Sequence, residues 1–171
     1  QLLLHGRGRA ALAENVWFIR EWLTRGQIVY VIEAFGIGDA RPAEAIARKR
    51  GSTRYSSTFN RTDDAERVHD LVASIGYCQS HAAAGKPPKT VNAVAFGKAG
   101  PWLAVAGATL NPPQPGEPEI RFAIDANRFD SSREDQYLAD LFIPGVLRAG
   151  GLANAVALLA PRTVFLHNTG N

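Results

Sequence analysis

Thr90–Val105 reads TVNAVAFGKAGPWLAV, a strand, a glycine turn and a helix in sixteen residues. Val91, Ala93, Val94, Ala95 and Phe96, broken only by Asn92, read as a buried strand. Gly97-Lys98-Ala99-Gly100 is a tight turn. A helix opens at Pro101, whose fixed φ and missing N–H suit a first helical position. A strand that feeds a helix through a short turn is the building unit of a parallel sheet.

Toward the N-terminus the same unit recurs. Leu2-Leu3-Leu4 is a short apolar strand ending at His5-Gly6. A helix is predicted over Ala10–Arg25, with Leu12, Val16, Ile19 and Leu23 on one stripe and Gly26 closing it. Ile28–Ile32 is the second strand, followed by the loop Phe35–Asp39. Arg41–Asn60 lacks a clear period and reads as an excursion over the sheet edge, with a short helix at Ala43–Arg48. Asp63 with Glu66 resembles a capping box. The helix it opens carries Val68, Leu71, Val72, Ile75 and Cys78 on one face. Ala82–Lys89 is a loop of small and polar residues.

Toward the C-terminus, Pro101–Ala108 is a helix of small residues. Asn111–Pro118 holds four prolines and can be neither helix nor central strand. Ile120–Ile124 is the fourth strand, Asp135–Phe142 a helical turn, Leu152–Leu159 a helix and Thr163–Leu166 the fifth strand. The sum is one α/β domain, a three-layer αβα sandwich on a mostly parallel five-stranded sheet. Val94 and Ile32 are expected to be buried within it. No internal repeat is visible.

Composition sets bounds on function. Of 171 residues, 46% are hydrophobic and 20% charged, which is ordinary for a globular domain. A formal charge of +3 without a long basic run argues against nucleic acid as a partner. No apolar run reaches the roughly 18 residues that a membrane span needs. The single Cys78 cannot form an internal disulfide. The chain has no Met and opens almost directly on a strand, so it is expected to be a fragment of a longer protein.

The Gly97–Pro101 turn can be laid on the nucleophile elbow, G-x-S-x-G. Gly97 is then the first glycine, Ala99 stands where the serine should be, and Pro101 replaces the last glycine. Together with Leu4-His5-Gly6, Phe35–Asp39, Asn60–Ala65, Ile143–Leu147 and Leu158–Arg162, this makes the chain resemble the α/β-hydrolase superfamily, in its acetyl xylan esterase-like branch. The resemblance implies that the chain spans the family's third to seventh strands, in local order 2-1-3-4-5. It implies a triad of Ser, acid and His, none of which has a counterpart here, so no catalytic residue is assigned. It also implies an extracellular or periplasmic setting. Gly6, Arg7 and Gly100 match main-chain donors to an oxyanion in that family. With Lys98 and Ala99 they form the candidate ligand-binding set, for a small anion or a carbohydrate.

Other candidates have plainer readings. His5 and His167 lie at strand C-termini, where open α/β sheets bind ligands, but two strands separate them. They read as loop histidines, while His69 and His81 read as solvated. Gly36-x-Gly38 is half a dinucleotide fingerprint, and Asp39 would repel a phosphate. Cys78 sits on an apolar stripe and reads as a buried small hydrophobe. Asp125 and Asp130 read as loop caps. Trp17, Trp22 and Trp102 could stack on a sugar or pack in a core or interface. No metal and no cofactor are assigned.

The leading expectation is a non-catalytic, degenerate hydrolase-like module. Its partner would be a protein, or a second copy joined through the outer strands Ile28–Ile32 and Thr163–Leu166. The alternative is an esterase of acylated carbohydrate whose missing catalytic parts lie outside this chain.

Overall fold

The structure, a computed structural model, describes residues 1–14, 16–41, 60–81 and 87–170. The Ala43–Arg48 helix, the body of the excursion around it and most of the Ala82–Lys89 loop fall outside those residues.

Five strands form one wholly parallel sheet: β1 (Leu2–His5), β2 (Tyr30–Val31), β3 (Thr90–Phe96), β4 (Glu119–Asp125) and β5 (Val164–His167). Their spatial order is β2-β1-β3-β4-β5, the order the resemblance implied. The helices are α1 (Arg9–Ala13), α2 (Trp17–Thr24), α3 (Asp63–Ser80), α4 (Ala99–Ala108), α5 (Glu134–Asp140) and α6 (Gly151–Ala157).

The two faces of the sheet differ. Registers Leu2↔Ala93, Leu4↔Ala95, Ala93↔Phe122 and Ala95↔Ile124 align one row of side chains. All of these are buried, with Val91 and Ile120, in a core shared with Leu71 and Ile75 of α3, Leu103 of α4 and Leu152 of α6. Helix α4 is buried around nearly its whole circumference, as a central helix must be. Its small residues follow from close packing. A Cβ on Gly107 would lie 2.4 Å from Leu159 and 2.9 Å from Phe122.

The opposite face carries Leu3, Val94, Ala123 and Phe165 in register. Leu3 is fully buried, beside the buried Ala11 and Leu12 of α1. Beyond it the cover thins, and Phe165 is 64% exposed. Val94 is therefore only partly buried, against expectation; so is Ile32, which follows the two-residue edge strand β2 and packs against the core of the first face. The apolarity of β3 concealed an unequal covering of its two sides.

Several boundaries also differ. The predicted Ala10–Arg25 helix is two helices, and its stripe is buried only at Leu12: Val16 is 40% and Leu23 55% exposed. Aromatic area dominates instead. Phe18 turns inward, with its ring 5.7 Å from Phe96 and 5.3 Å from Trp22. Gly26 does close α2, at φ +71°, with Gly26 N–H donating to Leu23 O and Gln27 N–H to Trp22 O, a Schellman motif. Strand β2 pairs over two residues only.

Helix α3 is capped by Thr62 rather than Asp63. The Thr62 hydroxyl accepts from Ala65 N–H at 3.3 Å and donates to Phe142 O at 2.5 Å. Asp63, Asp64 and Glu66 then occupy the first turn, where the helix dipole favours acids. Helix α4 starts at Ala99, so Pro101 is its third residue, still among the positions whose N–H has no partner within the helix.

Candidate functional site

The C-terminal ends of β1, β3 and β4 meet at the β3–α4 turn, where an open α/β sheet forms its crevice. Gly97 takes φ +58°, Lys98 is αR and Ala99 is helical and fully buried. A nucleophile elbow places its nucleophile at the strained tip of the turn, exposed above the sheet. The left-handed position of this turn is Gly97, two residues before Ala99. Neither Gly97 nor Ala99 carries a nucleophilic atom.

The expected main-chain donors are engaged internally. Gly6 N–H donates to Phe96 O at 3.1 Å, and Gly100 N–H to Gly97 O at 3.0 Å. Arg7 N–H donates to His5 Nδ1 at 2.9 Å. An anion could recruit these groups only by breaking the contacts that shape the turn. Gly6 is needed for a different reason: a Cβ there would sit 3.0 Å from Lys98 Cβ and 3.1 Å from Lys98 N. On Gly100 a Cβ would fall 1.6 Å from Asp125 O.

Asp125 holds the crevice together. Its Oδ2 accepts from Gly97 N–H at 2.8 Å. Its Oδ1 accepts from Asn127 N–H at 2.8 Å and Asn168 Nδ2 at 2.9 Å. Burial alone would raise its pKa. The bonds from Gly97, Asn168 and Asn127, with His167 nearby, outweigh burial and hold the carboxyl below its ordinary value. The capping role read from sequence is right in kind, but it extends to a turn 28 residues away. Asp130 caps its own loop, accepting from Ser132 N–H and Oγ.

Of the candidate set, Gly6, Arg7 and Lys98 line one cavity of about 280 Å³ above the turn. Ala99 and Gly100 do not line it and are buried. The wall also contains Arg41 and Arg67, which the sequence did not flag, and Trp102, which it offered as a stacking or packing residue. Arg67 pairs with Asp64 at 2.7 Å, donates to Phe35 O at 3.0 Å and lies 4.8 Å above the Trp102 ring. Lys98 pairs with Asp140 at 2.5 Å.

A second cavity of about 340 Å³ lies beside His5, Trp17, Phe18 and Phe96. Burial first, then Arg7, pushes the His5 pKa down, against smaller upward pulls from Glu14 and Asp125. A neutral ring suits Nδ1 as acceptor. His167 is the register partner of Asp125, on the other side of β3 and β4 from His5. Three strand spacings, about 14 Å, keep the two imidazoles from sharing one ligand atom.

The remaining candidates take structural places. The Gly36–Gly38 loop wraps a carboxylate: Glu33 accepts from Arg9 and Asp39 N–H at 2.9 and 2.8 Å. Those bonds lower its pKa. A Cβ on Gly38 would lie 1.9 Å from Glu33 Oε1, so the glycine serves that contact. Cys78 is buried, and burial raises its thiol pKa. Trp17 is 71% exposed, while Trp102 is 3% exposed. Among the described residues no group of three or more His, Cys, Asp or Glu could hold a metal ion, and no helix is long and apolar enough to cross a membrane.

Comparison of the chain with protein families, with curated proteins and with solved structures returned no match.

Proposed function

We propose that this chain is a non-catalytic α/β module that works by binding protein. The observation that carries this reading is the β3–α4 turn. Its left-handed position is Gly97, the small residue after Lys98, Ala99, is buried, and the N–H groups of Gly97 and Gly100 are spent on internal bonds. An acyl-transfer site needs a nucleophile and free donors aimed at the developing oxyanion. The hydrolase-like ancestry suggested by the sequence agrees with a scaffold that has lost its chemistry.

The unequal sheet supports binding as the role. Phe165, Leu166 and Val31 are exposed on its two outer strands, and Trp17 and Leu23 are exposed on α2. On β5, Phe165 and Leu166 are adjacent exposed apolar residues, and such area marks interaction surfaces. β5 is an outer strand with neither proline nor charge along Val164–His167. Such an edge accepts another strand. A second copy related by a two-fold would bring two β5 edges together antiparallel and extend the sheet. Incubation with p-nitrophenyl acetate and a fluorophosphonate probe tests the non-catalytic half. No covalent adduct and no enzyme-like hydrolysis is the expected result. Stoichiometric labelling would overturn it.

A further inference from the structure

The strand order reverses between β1 and β3: β2 lies outside β1, while β4 and β5 follow β3 on the other side. An open α/β sheet binds its ligands beyond the strand C-termini at such a point. The cavity of about 340 Å³ lies there. Three neighbouring strands supply one side of it. His5 ends β1 and is the register partner of Phe96, which ends β3, and Asp125 ends β4. The other side is the Arg7–Glu14 pair with Trp17 and Phe18 of α2.

Two properties of this lining meet. The first is a run of aromatic rings. Trp17, Phe18, Phe96 and His5 follow one another at centroid distances of 5.7, 5.7 and 6.4 Å. None of the four is buried, and Trp17 is 71% exposed. The second is charge. Arg7 and Glu14 pair at 3.2 Å and cancel. Asp125 accepts from uncharged groups, Gly97 N–H, Asn127 N–H and Asn168 Nδ2, and those bonds leave its negative charge in place. Burial, with Arg7 beside it, favours the neutral form of His5, which then adds no opposing charge. Ring faces and a net negative charge both disfavour an anion. A small metal ion needs oxygen ligands in place of its water, which rings do not supply. An alkylated ammonium ion carries its charge under an apolar surface, and ring faces attract it.

We propose that this cavity binds an alkylated ammonium ion, seated against the Trp17 and Phe18 rings, with Asp125 supplying the opposite charge. The site does not depend on the β5 edge, so it can fail while the protein-binding reading stands.

The test is a titration of the ¹⁵N-labelled chain, followed by its three indole cross-peaks and the backbone amides of Phe18 and Phe96. The Trp17 indole peak is assigned by its loss in Trp17→Leu, a change at an exposed position. Choline chloride is compared with its uncharged isostere 3,3-dimethylbutan-1-ol in the same sodium chloride. The Trp17 peak should move saturably with choline, and the alcohol should bind about tenfold or more weakly, since it lacks only the charge. Trp17→Leu keeps an apolar side chain and removes the ring. It should weaken choline about tenfold at the Phe18 and Phe96 amides. A further titration with N-acetyl-trimethyl-lysine amide separates the two sources of the group: tighter binding than choline assigns a methylated protein side chain, weaker binding a free small molecule. A Trp17 peak unmoved by choline, equal binding of the alcohol, or unchanged binding in Trp17→Leu would overturn the proposal.

Discussion

One substitution made at two helical glycines should give opposite results. At Gly100 an added methyl carbon would lie 1.6 Å from Asp125 O, 2.6 Å from its carbonyl carbon and 3.3 Å from its N. All three are main-chain atoms, so no rotamer change can make room. Helix α4 and strand β4 would have to part, at the point where Asp125 anchors the turn through Gly97 N–H. Overpacking that side chains can absorb costs about 1–3 kcal/mol. Against backbone on both sides, Gly100→Ala should cost about 3–5 kcal/mol, by the same reasoning. Gly76, on the exposed side of α3, meets nothing within 4 Å. Gly76→Ala should stabilise by about 0.5–1 kcal/mol, because alanine restricts the unfolded chain and favours helix. Urea unfolding is the assay. At a slope of about 2 kcal/mol per molar, the two variants should differ by about 2 M in midpoint. A Gly100→Ala midpoint within about 0.5 M of wild type would refute the close approach of α4 to β4.

Three further outcomes are expected. Thr62→Ala should cost about 1–2 kcal/mol in urea unfolding, since it removes the α3 cap and the bond to Phe142 O. Asp125 has a folded pKa below its ordinary 3.8, so its contribution is complete above about pH 4 and is lost as pH falls through the folded value. Asp125→Asn should therefore flatten the acid limb of a stability-against-pH curve. Cys78 should resist a thiol reagent in the folded chain and react on unfolding, as its burial and raised pKa require.

The sheet was legible because a buried parallel strand leaves few alternatives. The runs at Leu2–Leu4, Val91–Phe96 and Ile120–Ile124 are each too short for a helix and too apolar for a loop. Where burial was partial, the sequence misled. The Leu12–Leu23 stripe has correct helical spacing, but Phe18 and Trp22 offer more area and took the inward face. The Thr62 cap was missed because Asp63 and Glu66 already matched the box pattern, and only backbone geometry shows which residue is extended. The candidate cavity was half legible. Gly6, Arg7 and Lys98 came from the turn motif, whereas Arg41, Arg67 and Trp102 stand on three separate segments. No local spacing links those three, and the topology alone brings them together.

The proposed role, a binding module whose open sheet meets a second copy at β5, rests on self-association through that edge. Sedimentation equilibrium of the chain and of Phe165→Asp tests it most directly. Phe165 is 64% exposed, roughly 130 Å² of a ring that buries about 200 Å², or about 3 kcal/mol if covered in a dimer. The chain should dimerise at tens of micromolar, and Phe165→Asp should weaken that association by about 100-fold or more with the fold intact. A wild-type chain that stays monomeric across that range, or a Phe165→Asp variant that dimerises as well as wild type, would contradict it.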